Sequence, residues 1–201
     1  DIYQLVPILL QLIFLLSPIL YMKENLGSLT WIINLNPFYL HIDQIREAVV
    51  YGLGIEEFKI FDMKPIPGAA INIGDRCYIG KETEERKQID HVRARVNFID
   101  LTHTAQSELS FVLDEIVKEN EEKFIQFYNH AGPISRRYHS LELIPGLGKK
   151  TMNLIVSNRP YKTFEEMQEK IPNFRNPEKY ISQRIENEIR DSDQKYRLFV
   201  R

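Results

Sequence analysis

At 201 residues, with 43% hydrophobic side chains, the chain has enough apolar surface for one or two buried cores, which excludes an intrinsically disordered polymer. The formal net charge of −2 excludes a uniformly basic coat for a polyanion, yet the charge is uneven: residues 55–132 hold 10 Lys and Arg against 15 Asp and Glu, and residues 133–201 hold 14 against 9. The second half therefore carries a basic face of the kind that meets nucleic acid. The single cysteine, Cys77, excludes an internal disulfide and fits a reducing compartment; it reads as a core residue rather than a reactive thiol.

From Ile2 to Met22 no side chain is charged, and a run of that length suffices to cross a bilayer, which takes about 20 residues. A signal peptide is not indicated, because the basic leading region and the small-residue cleavage site are missing. Residues 2–22 are thus the candidate membrane contact, an N-terminal apolar membrane-type helix, with Trp31 and Tyr39 as interface anchors. Leu15-Leu16-Ser17-Pro18-Ile19-Leu20-Tyr21, then Leu35-Asn36-Pro37 and Ile45-Arg46, resemble the late part of the permease subunit of polysaccharide-exporting ABC transporters. That resemblance implies a last membrane span, and residues 55–201 contain no uncharged apolar run long enough to supply one. Two explanations stay open: a foreign join near Val49-Val50-Tyr51-Gly52, or a genuine anchor unrelated to transport. Residues 52–201 are expected in the cytoplasm under both.

Residues 52–102 alternate as strands. Glu57 to Met63 has period two, a Pro/Gly turn follows at Pro65 to Gly68, Asp75 to Gly80 reads as a second strand, and His91 to Phe98 alternates again after a charged tip at Lys81 to Lys87. A small antiparallel OB-like sheet is expected, with Arg93 and Arg95 on one face, either as backbone-contacting groups or as a solvated surface. An amphipathic helix follows from about Thr104 to Asn129, its stripe Leu109, Val112, Leu113, Ile116 and Val117 continuing to Phe124, Phe127 and Tyr128. Gly132-Pro133 ends this bracket of residues 103–132.

In the helical domain expected over residues 133–192, Ile144-Pro145-Gly146-Leu147-Gly148-Lys149-Lys150 sets two glycines one residue apart before an apolar helix. Glycine permits a tight turn whose successive N–H groups point outward at a helix start, an arrangement that binds anions, and the paired lysines add charge there. The unit resembles the helix-hairpin-helix motif, which grips nucleic-acid backbone without reading sequence. The alternative is an ordinary helix–helix turn with a C-capping glycine. Further on, Thr163 to Glu166 fits a capping box, Asn176-Pro177 fits a helix start, and Ile181, Ile185 and Ile189 line the last long helix. Lys170-Ile171-Pro172-Asn173-Phe174-Arg175-Asn176-Pro177 repeats the hairpin 27 residues later, keeping Ile-Pro and losing both glycines. The first copy is expected to hold phosphate and the second to serve packing. Residues 193–201 read as a tail.

Gly74 to Lys81, Asp100 to Ala105, Glu119 to Phe124 and His139 to Lys150, in this order and spacing, resemble an archaeal family catalogued as domain of unknown function 655. The resemblance implies a sheet domain, a helix-hairpin-helix pair and a role near RNA or the translation apparatus; it supplies no catalytic residue. The overall expectation is an α+β chain, a small OB-like sheet followed by a tandem helix-hairpin-helix arrangement. It binds nucleic acid, RNA ahead of DNA, through Gly146, Leu147, Gly148, Lys149, Lys150, Arg136, Arg137, Arg93 and Arg95. The scattered histidines give no metal-binding or nucleotide-binding spacing, so no cofactor, metal or catalytic residue is expected and the chain reads as a non-enzyme. A permease fragment joined to a protein–protein module, and a nucleic-acid-processing enzyme, are the alternatives.

Overall fold

The structure of the chain, a computed structural model, describes residues 49–201. These residues form strands β1 (Val50–Leu53), β2 (Ile60–Pro65) and β3 (Ile89–Val96), then helices α1 (His103–Glu119), α2 (Glu121–His130), α3 (Lys149–Ser157), α4 (Phe164–Lys170) and α5 (Pro177–Arg190). Short 3-10 turns stand at Thr83–Glu85, Phe98–Asp100 and Ser140–Leu143.

β2 is the middle strand of an antiparallel sheet ordered β1-β2-β3 and buries Ile60 and Met63. Leu53 lies opposite Ile60 on one side and Val96 opposite it on the other. Register breaks after Asp62 and after Lys64 bend the ribbon, as bulges do. The β1–β2 connection turns through Phe58 at φ 53°, a conformation that costs a residue with a side chain about 1–2 kcal/mol. Burial of the ring to 1% exposure offsets that cost, because a buried Phe contributes about 1.5–3 kcal/mol.

The strand expected over Asp75 to Gly80 is absent, and the stretch runs as a loop. Its polar groups find side chains instead of a ladder: Arg86 donates to the Gly80 carbonyl at 2.9 and 2.7 Å, Arg76 pairs with Glu119, and Cys77 Sγ donates to Gln88 at 3.3 Å. Cys77 is half-buried, and burial, with Asp75 adding, pushes its thiol up. With three strands and an unpaired edge on each side among the described residues, the sheet is open and falls short of the five strands of an OB barrel.

The single helix expected to Asn129 is two. Thr102 caps α1 by accepting from the Ala105 N–H at 3.3 Å. At Asn120 the side-chain amide donates to the Ile116 carbonyl at 2.7 Å, and the chain turns before α2 begins; local bonding of this kind competes with helix continuation. The stripe of Leu109, Leu113, Ile116, Val117, Phe124 and Tyr128 lies buried, with Val112 and Phe127 partly covered. α1 packs along α5, where Ile181 and Ile185 are fully buried and Ser182 donates to Asp114. Thr163 caps α4 by accepting from the Glu166 N–H at 3.1 Å, while Glu166 itself accepts from the Lys162 N–H rather than closing a box on the cap residue. Pro177 stands in the first turn of α5, behind Asn176 at φ 53°.

Residues 193–201 do not form a free tail. Glu188, 1% exposed, accepts from the N–H groups of Leu198, Phe199 and Val200 at 2.7, 2.9 and 3.0 Å and pairs with Arg184 at 2.7 Å. Arg184 also donates to the carbonyls of Leu143 at 3.0 Å and Tyr196 at 2.6 Å. The Phe199 ring sits 5.8 Å from Phe124 and 4.8 Å from Phe127. Sheet loop, helices and tail thereby share one core, and Val49–Arg201 forms one compact unit. Among the described residues no helix is long and apolar enough to cross a membrane. The expected apolar helix at 2–22 and the permease-like segment lie outside the described residues.

Candidate functional site

Ile144 and Leu147 pin the first hairpin, 1% and 6% exposed. Between them Gly146 turns at φ 78°, and a Cβ there would stand 3.2 Å from a ring carbon of Tyr180, so both conformation and space favour glycine. The element before the hairpin is the 3-10 turn Ser140–Leu143 rather than a full helix. His139 opens it: Nδ1 accepts from the Leu141 N–H at 3.2 Å, and Glu142 accepts from the His139 N–H at 3.0 Å. Burial, followed by the nearby Arg159 guanidinium, holds the His139 imidazole below its usual pKa, with Glu142 opposing.

Gly148 is a different kind of glycine. Its φ is −74°, and a Cβ would meet nothing within 4 Å, so neither turn geometry nor packing within the chain calls for it. It is the N-cap residue of α3, and no side chain caps that helix. The N–H groups of Gly148, Lys149, Lys150 and Thr151 have no acceptor among the described residues, and the exposed Lys149 and Lys150 form no ion pair among them. Free amides at a helix start carry partial positive charge, and the two ammonium groups reinforce it. The start of α3 is therefore electropositive, with its amides unfilled among the described residues.

The second hairpin has the same frame and a closed end. Ile171 and Phe174 take the places of Ile144 and Leu147, each 1% exposed, and Asn173 takes the left-handed place of Gly146 at φ 69°. Asn tolerates that region better than most residues with a side chain. At the helix start the Asn176 N–H donates to Gln168 at 3.1 Å, Pro177 has no N–H, and the Pro177 carbonyl accepts from the buried Tyr128 hydroxyl at 2.9 Å. Phe174 lies 6.1 Å from the Tyr128 ring and 4.9 Å from the Tyr180 ring.

Arg136 and Arg137 stand at the tip of a tight loop closed by the Pro133–His139 bridge, where Ser135 Oγ accepts from the N–H groups of Arg137 and Tyr138 at 3.3 and 3.2 Å. Both arginines are exposed, and the loop feeds directly into the 3-10 turn. Arg93 and Arg95 are engaged elsewhere: Arg93 pairs with Asp62 at 3.5 Å, and Arg95 donates to the Arg201 carbonyl at 3.3 Å. Sequence reasoning passed over Tyr138 and Tyr196, whose rings lie 6.3 Å apart, with Lys195 over the Tyr196 ring at 5.4 Å. The available signal was a pair of basic–aromatic runs, Arg136-Arg137-Tyr138 and Lys195-Tyr196-Arg197, and only folding brings the two together.

An open three-stranded sheet and a helical layer with two hairpins of one frame define an α+β protein. The chain belongs to the family described as Protein of unknown function (DUF655), whose model matches residues 35–201. It is similar to an uncharacterized protein, MJ0038, of Methanocaldococcus jannaschii, 41% identical over 182 residues that cover 89% of this chain and 82% of the relative. Among solved structures it is similar to Af1531 of Archaeoglobus fulgidus, also of family DUF655, with a TM-score of 0.73, 35% identity, and coverage of 79% of this chain and 88% of that one. The family match begins upstream of Val49, and the relative covers more of the chain than residues 51–201 make up. The expectation of a foreign join at Val49 to Gly52 is corrected accordingly: residues 35–48 belong to the same family match as residues 49–201.

Proposed function

We propose that this protein binds nucleic-acid backbone, RNA ahead of DNA, through the first hairpin, and that the two hairpins are a tandem helix-hairpin-helix pair of which only the first holds phosphate. The observation that carries the reading is the run of amides from Gly148 to Thr151, which among the described residues have no acceptor, on a segment whose Lys149 and Lys150 form no ion pair among them, at a glycine that no described neighbour packs against. A phosphate oxygen accepts from such amides, and the missing Cβ lets the backbone approach it. The second hairpin, with its helix start closed by Gln168 and Pro177, has no equivalent seat. The excess of base over acid in residues 133–201 gives the half that carries the hairpin the sign a polyanion needs. Arg136 and Arg137 extend the contact, whereas Arg93 and Arg95, held by Asp62 and the tail, contribute less.

The test is salt dependence. Titration of the full chain against a stem-loop RNA and a DNA duplex at several salt concentrations is expected to give steep lines of log K against log salt, and Lys149→Ala/Lys150→Ala is expected to lower the slope by about one unit per lysine engaged. Sequence preference is expected to stay the same, because phosphate contacts position without reading bases. An unchanged slope and affinity would move the hairpin to a contact with another protein.

A further inference from the structure

The loop that carries Arg136 and Arg137 ends on Tyr138, 50% exposed, whose hydroxyl has no partner among the described residues. The loop is not slack. Its Pro133–His139 bridge, the Ile134 N–H donating to the Tyr138 carbonyl at 2.9 Å, and the two bonds to Ser135 Oγ fix the ring's backbone. Behind the ring stands Tyr196, in a segment tied down by Arg184 and Glu188. The buried Arg184 guanidinium holds the Leu143 carbonyl at the base of the first hairpin as well as the Tyr196 carbonyl, so the two segments share one support. Basic groups neighbour the rings, Arg136 and Arg137 without ion pairs among the described residues and Lys195 over Tyr196, alongside the exposed carboxylates of Asp191, which accepts from the Asp193 N–H, and Asp193.

We propose that Tyr138, backed by Tyr196 and flanked by Arg136, Arg137 and Lys195, is a stacking platform for unpaired nucleic-acid bases, so that the ligand is a single strand or an unpaired loop rather than plain duplex. The proposal rests on the nucleic-acid reading of the hairpin and deepens it. An exposed aromatic face on a hydrogen-bonded loop suits the flat face of a base, which a duplex keeps inside its own stack, and cationic side chains beside it meet the backbone of the same strand. An acidic peptide would satisfy the charges and leave the ring face unused.

The experiment measures binding of the full chain to an unpaired oligouridylate, its DNA counterpart and a blunt duplex at one salt concentration. Tyr138→Ala is expected to lower affinity for both single strands about tenfold and to leave the duplex within about twofold, while Tyr138→Phe, which keeps the ring, stays within about twofold on every probe. An equal loss on single strand and duplex, or no loss on either, overturns the platform; the second outcome assigns Tyr138 to a protein contact. Lys149→Ala/Lys150→Ala separates the two readings. If that variant binds like the parent while Tyr138→Ala does not, the platform stands and the hairpin grip falls. If the parent chain binds none of the probes, both fall.

Discussion

The two hairpins are built on one plan and end in opposite states. In each, a buried isoleucine (Ile144, Ile171) precedes a left-handed residue (Gly146, Asn173) and a buried apolar residue (Leu147, Phe174). Tyr180 lies against both, its ring 4.9 Å from Phe174 and within reach of any Cβ placed on Gly146. What differs is the helix start that follows, one residue later in the second hairpin than in the first. Among the described residues nothing caps the start of α3 at Gly148 and Lys149, whereas Asn176 and Pro177 fill the start of α5 with a side-chain bond and a ring. The lesson is that a repeated turn can be kept for packing while the amides at its helix start are left open or filled independently.

The largest expected effect tests the support that the first hairpin shares with the tail. Glu188→Ala removes the acceptor for three backbone N–H groups and leaves the Arg184 charge buried without its carboxylate, so a loss of about 3–5 kcal/mol in urea unfolding is expected. A loss under about 1 kcal/mol, the net worth of one ordinary hydrogen bond, would mean that the clamp does not hold the hairpin.

Next in size, Gly146→Ala is expected to cost about 1–2 kcal/mol for the left-handed conformation, with the close approach to Tyr180 adding to it. Gly146→Asn, copying the residue at Asn173, is expected to cost less than Gly146→Ala. The reverse order in a thermal melt would break the equivalence of the two turns.

Gly148→Ala sharpens the contrast further: its φ of −74° and its open surroundings admit a methyl group without strain, so the fold loses only the roughly 0.5–1 kcal/mol by which alanine is a poorer N-cap than glycine. Binding to the stem-loop RNA is nevertheless expected to weaken about tenfold, because a methyl group stands where the phosphate approaches. Asn173→Ala is expected to lower stability by a similar amount, about 1 kcal/mol, and to leave affinity alone. Equal effects of the two substitutions on binding would make the hairpins functionally symmetric.

The smallest effect is a pH dependence. The His139 pKa is lowered in the folded chain by burial and by Arg159, and its Nδ1 accepts a backbone hydrogen bond that a proton would abolish. The unfolded chain therefore binds the proton more readily, so the stabilising contribution is present above the ordinary histidine pKa near 6.5 and is lost as the pH falls through the lowered folded value. Unfolding free energies measured from pH 7.5 down to pH 5 should show that loss in the parent chain and not in His139→Asn, whose side chain accepts the same bond without titrating.

Much of the fold was legible because its signals are local. The 3.6-residue stripe from Leu109 to Val117, the Thr163 cap, the Pro177 helix start and the 27-residue echo between the hairpins each follow from residues near one another in the chain. The misses also have physical causes. Asp75 to Gly80 alternates like a strand but has no partner in the ladder, so its carbonyls and side chains turn to Arg86, Gln88 and Glu119. The break at Asn120 depends on one amide reaching one carbonyl, which no periodicity announces.

The sequence by itself determined the charge division between the halves, the apolar faces of the helices, the hairpin glycines and the family of the chain, because composition, spacing and short-range sterics carry them. Only the tertiary structure decided that the last residues are part of the core, that Arg93 is engaged with Asp62, that Asn173 stands in for Gly146 and that Tyr138 meets Tyr196. Each of these rests on groups far apart in the chain whose approach is set by the packing of the whole layer, with the Arg184–Glu188 pair on α5 as its fastening.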